Sequence, residues 1–290
     1  MKGILLVNHF LSDEHFSVVH TLLLSAAERM GIDLSLQTGG TLFTRLDEAD
    51  FTPPDFVLFW DKDVLLAERL EDMGIPLFNS AQAVRLCDNK GETALALQRA
   101  GVPTPRTMIA PFTFDGIGYT KTDFVNCACQ KLGFPLVIKE LYGSFGAQVY
   151  LVHTEKEAEE RVALLGSRPF LLQAFVSHSY GRDIRANVVG DRVVAAMLRK
   201  GKDGDFRSNI GAGGAGEPYS LTEEQERLAV SAAKAVGADF AGVDLLLEAD
   251  GGMTVCEVNS NPQFAGTLRY LGVNMAEHIL AYIKGKLQKK

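Results

Sequence analysis

The sequence predicts an α/β protein whose C-terminal half turns to α+β. Three observations carry that prediction. Apolar strand runs alternate with helical periodicity over roughly the first hundred residues, the pattern of parallel βα units. The pair Pro103-Thr-Pro105 then breaks the chain, because each proline restricts its own φ and the residue before it. Finally, Gly190-Asp191 and Asp250-Gly251 are each flanked by apolar runs, the signal of antiparallel hairpins.

Residues 2–7 read as a buried strand, and apolar positions Phe16, Val19, Leu22, Leu23 and Ala26 as one helix face, stopped by Gly31. Strands follow at 32–36 and at 56–60, the latter behind Pro53-Pro54-Asp55. A helix over 64–73 leads to a strand at 75–78. Asn79 and Ser80 can cap the next helix, and 89–100 is another. Beyond the prolines come a strand (106–109), a helix (123–132), two strands (135–140, 148–152), a helix (155–165) and a strand (170–175). The hairpins 183–189/193–199 and 243–247/253–258 bracket a helix over 222–236, which opens with the capping box Thr222-Glu-Glu-Gln225. Residues 286–290 read as a solvated tail. This divides the chain into three expected parts, 1–102, 103–175 and 176–290.

Twenty-nine Lys and Arg against 36 Asp and Glu give a net charge of −7 over 290 residues. That excludes a global attraction to nucleic acid or an anionic membrane but not a local basic cleft. No apolar run reaches the ~20 residues that cross a bilayer. Cys87, Cys127, Cys129 and Cys256 form no Cys-x-x-Cys pair and read as reduced thiols of a cytoplasmic protein.

Three motifs bear on chemistry. Gly211-Ala-Gly213-Gly214-Ala-Gly216 matches G-x-G-x-x-G, but no strand leads in and no helix starts within it, so a dinucleotide fingerprint is rejected. Lys139 ends a strand before the loop Gly143-Ser144-Phe-Gly146. A loop of small residues can turn backbone N–H groups onto a polyphosphate, with Lys139 as a point charge; a plain tight hairpin reads equally well. Asp244 sits on one predicted strand, and Glu257 and Asn259 share a face of the next. Pairing would gather two carboxylates and an amide, oxygen ligands suited to Mg²⁺. A solvated face fits these apolar strands poorly.

With Gly181-Arg-Asp183-Ile-Arg185 and Phe206-Arg-Ser-Asn209, these pieces occur in an order that resembles the ATP-grasp carboxylate–amine ligases of the RimK-like branch. The resemblance implies an ATP-grasp fold behind an N-terminal parallel-sheet domain. It implies an ADP-forming ligase that joins an amino acid, glutamate or a relative, to a carboxylate acceptor (a small molecule or a protein C-terminus) through an acyl phosphate. Lys90 and Lys139 would hold the ATP phosphates under the Gly143–Gly146 loop, including Ser144. Gln173, Phe175 and Val176 would form the hinge that holds adenine, and Asp183 would bind ribose. Arg207, Ser208 and Asn209 would lie beside the transferring phosphate, with Arg207 and Asn209 catalytic. Asp244, Glu257 and Asn259 would hold two Mg²⁺, or Mn²⁺ in their place. A homo-oligomer is compatible with this family. Departures are Ala174, where relatives carry Glu, and Ile210-Gly-Ala-Gly-Gly, where they carry basic residues facing substrate. Arg269 reads as a candidate for a substrate carboxylate or as a solvated helix arginine. Two alternatives stand beside the ligase reading: a D-alanine–D-alanine-type ligase, and a non-catalytic ATP-binding regulator of the same fold.

Overall fold

A computed structural model describes residues 1–11, 14–48, 50–208 and 213–289. The first part is β1 (Lys2–Val7), α1 (Glu14–Arg29), β2 (Asp33–Thr38), α2 (Gly39–Arg45), β3 (Phe56–Trp60), α3 (Val64–Asp72) and β4 (Leu77–Phe78). Its sheet is parallel in the order β2-β1-β3-β4, as the alternation predicts. The sequence carries no helical signal for α2, which begins on two glycines; Thr38 starts it by accepting from Thr41 N. Next come α4 (Ala81–Asp88), capped by Ser80, and α5 (Lys90–Arg99), capped by Asn89, which accepts from Gly91 N and Glu92 N.

The middle part is β5 (Thr107–Ile109), α6 (Asp123–Leu132), β6 (Leu136–Glu140), β7 (Val149–Val152), α7 (Glu155–Leu165) and β8 (Phe170–Ala174), an antiparallel sheet in the order β5-β8-β6-β7. The last part holds β9 (Arg182–Val189), β10 (Arg192–Lys200), β11 (Ala215–Pro218), α8 (Glu223–Ala235), β12 (Phe240–Leu247), β13 (Met253–Asn259), α9 (Ala265–Leu271) and α10 (Met275–Leu287). Its antiparallel order is β11-β10-β9-β12-β13, with both predicted hairpins present and the Thr222/Gln225 capping box made. β11 arises from the end of the glycine-rich stretch, because pairing with β10 satisfies its backbone groups.

Packing ties the parts together across the expected segment bounds. Met275, Ile279, Leu280 and Ile283 of α10 share one core with Leu5, Val19, Leu23, Phe56 and Leu58 of the first part. The C-terminal tail is therefore not free: Lys286 pairs with Asp239, which corrects the solvated-tail expectation for that residue, while residue 290 lies outside the described residues. Leu97 of α5 is buried with Ala232, Ala233 and Val243 beneath the last sheet. Asn79 is fully buried and donates to the carbonyls of Phe240 (2.9 Å) and Ser260 (2.7 Å) while accepting from Asp239 N (2.6 Å). All its main bonding capacity joins the first part to the last.

Candidate active site

In the last sheet, side chains alternate between two faces. Ile184, Ala186, Val243, Leu245 and Val255 turn to one side and are buried with α8. The other side is charged. Register sets Arg199 beside Asp183, Arg185 beside Asp244, Asp244 beside Glu257 and Gly242 beside Asn259. The predicted juxtaposition of Asp244, Glu257 and Asn259 is thus present. Gly242 leaves room for the Arg185 side chain: a Cβ there would sit 2.8 Å from Arg185 Nη1.

Asp244 is more heavily engaged than the sequence reading expects. Arg185 grips it through Nε and through Nη2 (3.0 Å), and Arg199 Nη2 reaches Oδ1 at 3.0 Å. Arg199 also holds Asp183 through Nε at 2.7 Å. Burial pushes the Asp244 carboxyl up, but Arg185 and Arg199 overcome it and hold the group below the usual carboxylate range. Asp183 goes the other way: burial raises it, against Arg199, and the Asp244 charge adds to the rise. A carboxylate has about four lone-pair sites, so Asp244 Oδ2 keeps one for a cation. Glu257 is half-buried, 3.8 Å from Lys90 Nζ. Asn259 donates from Nδ2 to Gly242 O at 3.3 Å, leaving Oδ1 as an acceptor. The donor set is all oxygen and fits Mg²⁺. Among the described residues no three His, Cys, Asp or Glu side chains form a metal cluster by themselves, so Asn259 and substrate oxygens must complete any shell.

Above this face lies a cavity of about 1080 Å³, walled by all three parts of the chain. Eight Lys and Arg line it against four Asp and Glu, the reverse of the chain's overall balance and a balance that attracts anions. Lys139 is only 8% exposed, and its Nζ has the Cys256 sulfur at 3.4 Å as its partner. Burial pushes the Cys256 thiol up although Lys139 opposes it, so the thiol stays neutral and does not balance the lysine. Lys90 Nζ donates to Gly143 O at 2.9 Å, which fixes the glycine loop although Gly143 itself does not line the cavity. Arg207 holds the loop's other end, donating from Nη1 to Gly146 O at 2.8 Å and from Nε to Asp205 Oδ1 at 3.0 Å. Gly146 has φ 73°, and a Cβ there would lie 3.1 Å from Arg207 Cδ.

Ser144, Gly146, Gln173, Phe175, Val176, Asp183, Arg207 and Ser208 line this same cavity, as do Lys90, Lys139, Asp244, Glu257 and Asn259. Asn209 lies outside the described residues. Val137, Phe175, Val176 and Leu246 are among its apolar lining residues, and Gln173 Nε2 donates to Thr107 Oγ1 at 2.8 Å. Sequence reasoning missed the contribution of the first part: Asn8, Trp60, Asp61 and Lys62, at the ends of β1 and β3, also form the wall. Lys62 pairs with Asp88 and donates to Ser144 Oγ at 3.1 Å. The available signal was position, since ligands of open parallel sheets sit at the carboxyl ends of strands beside a change in strand order.

A model of the RimK-like ATP-grasp domain matches residues 87–283. The chain belongs to this family. It is 38% identical over 221 residues to the "Probable alpha-L-glutamate ligase 2" of Shewanella amazonensis, covering 76% of this chain and 70% of that one. It is 35% identical over 223 residues to human "Beta-citrylglutamate synthase B", covering 77% of this chain but 56% of the relative. The crystal structure of D-alanine–D-alanine ligase from Bacillus anthracis superposes with a TM-score of 0.75 at 17% identity over 100% of this chain and 98% of that one, a likeness of fold. Family and fold together are those of ATP-dependent ligases, which use ATP and Mg²⁺. Among the described residues no helix is long and apolar enough to cross a membrane.

Proposed function

We propose that the protein joins glutamate or a related amino acid to a carboxylate acceptor, at the expense of ATP and through an acyl phosphate. The observation that carries this reading is Lys139: a buried cation without a carboxylate partner among the described residues, in a cavity rich in other cations, calls for a polyanion. In this reading Phe175 and Val176 flank adenine, Asp183 accepts from ribose, and Lys90, Lys139 and the Gly143–Gly146 loop hold phosphates. Asp244, Glu257 and Asn259 hold two Mg²⁺, for which Mn²⁺ can substitute; the metal supplies charge neutralisation. Glutamate is favoured by the name of the Shewanella relative. The D-alanine alternative has fold alone behind it. The three sequence segments are taken as the three units of the ligase, with α10 returning to the first. Four free thiols favour a cytoplasmic location.

An acceptor carboxylate is a poor electrophile because oxide would have to leave. Its oxygen attacks the γ-phosphorus and the bond to ADP breaks. The amine then attacks the acyl carbon, phosphate leaves with the C–O electron pair, and the nitrogen loses a proton. Beyond its bonds to Asp205 and Gly146, Arg207 keeps one N–H on each Nη, and this fixed pair can follow the charge on the equatorial oxygens in a way a lysine cannot reproduce. The test replaces the amine by hydroxylamine, with ATP, Mg²⁺ and a panel of carboxylates. The wild type should yield a hydroxamate, and Arg207→Lys should suppress it. Amide formation without any trapped hydroxamate would count against the acyl phosphate, and normal trapping by Arg207→Lys against the role of Arg207.

A further inference from the structure

Ala265, Gly266, Arg269 and Tyr270 of α9 also line the cavity. This helix is anchored at three points. Asn187 Nδ2 donates to the buried Thr267 Oγ1 at 3.1 Å, and Phe264 packs edge-on to Trp60 at 5.8 Å. Tyr270 lies over β11, where a Cβ on Gly216 would stand 3.0 Å from its ring. Arg269 therefore projects from a fixed helix, and it lines the cavity.

The cavity's other cations each have a partner within the chain or a place at the proposed phosphate position. Arg185 and Arg199 hold carboxylates, Arg207 holds Asp205 and Gly146, and Lys62 holds Asp88. Arg182 Nε donates to His178 O at 3.0 Å, Lys90 to Gly143 O, and Lys139 faces the phosphate position proposed above. Among the described residues, Arg269 has the Tyr270 ring, 5.3 Å away, as its recorded partner, and no acceptor for its five donors. Trp60 and Gln263 line the same cavity, and Trp60 Nε1, a donor, and Gln263 Oε1, an acceptor, are buried without a hydrogen-bond partner among the described residues. A ligand with carboxylate and ammonium groups offers the complement to both.

We propose that Arg269 is a specificity residue that takes a non-reacting carboxylate of the amino-acid substrate, so that the site prefers an amino dicarboxylate to its monoamide. This rests on the ligase reading; the glycine-rich stretch 211–216 itself carries no basic residue. A guanidinium can engage a carboxylate by two parallel bonds that an amide cannot accept equally.

The test titrates the full-length protein, loaded with Mg²⁺ and a non-hydrolysable ATP analogue, with L-glutamate, L-glutamine and L-isoglutamine by calorimetry. The wild type should bind L-glutamate more tightly than at least one monoamide by about tenfold or more. Arg269→Gln should abolish that difference, and Arg269→Lys should restore part of it. Equal binding of all three by the wild type, binding of none, or full discrimination by Arg269→Gln would each overturn the proposal. ADP release with ATP and a carboxylate panel reads the ligase assignment separately. Discriminating binding without ADP release would overturn that assignment and leave Arg269 as a carboxylate site.

Discussion

The first and last sheets put functional groups in different places. In the parallel sheet, β3 is buried along its whole length, and its charged side chains, Asp61 and Lys62, come only after the strand ends. In the antiparallel sheet, α8 covers one face, and Asp183, Arg185, Asp244 and Glu257 stand mid-strand on the other. A sheet covered on both sides has no position for a charge, whereas one covered on a single side can dedicate alternate residues to a site. The same contrast separates stability from chemistry within β12, where Asp244 and Leu245 are neighbours of opposite face.

The comparison predicts a graded series. The largest effect on turnover should come from Glu257→Gln on the charged face, which removes a charge proposed to bind metal. ATP turnover should fall by about 10²–10³-fold with an unchanged melting temperature. Turnover like the wild type's would remove Glu257 from the metal site. Leu245→Ala, on the covered face, should cost about 2–5 kcal/mol in stability, measured by denaturant unfolding, while ATP affinity stays constant. A fall in affinity at full folding would mean that the two faces are coupled.

Lys139→Ala should weaken ATP binding by about tenfold to a hundredfold and leave adenosine binding unchanged, because the lysine is proposed to address phosphates. Equal weakening of both would make it a structural residue. The smallest effect is expected from Lys62→Ala at the end of β3. It loses an exposed contact to the glycine loop, so KM for ATP should rise by only about twofold to fivefold. A change as large as that of Lys139→Ala would show that strand ends contribute as much as strand faces.

The sequence by itself determined the alternating βα units, the two hairpins and the shared face of Glu257 and Asn259, since strand period and turn chemistry are local. It also carried the order of motifs that resembles the ATP-grasp ligases. It did not reveal α2, whose glycines lack helical propensity, or β11, which exists through pairing with β10. Nor did it reveal that Asp244 shares its oxygens with Arg185 and Arg199, that Cys256 is the partner of Lys139, or that Lys62 reaches Ser144 across 82 positions. Those relations depend on which strands lie side by side and how the three parts pack, and only the tertiary structure brings residues so distant in the chain within hydrogen-bonding distance.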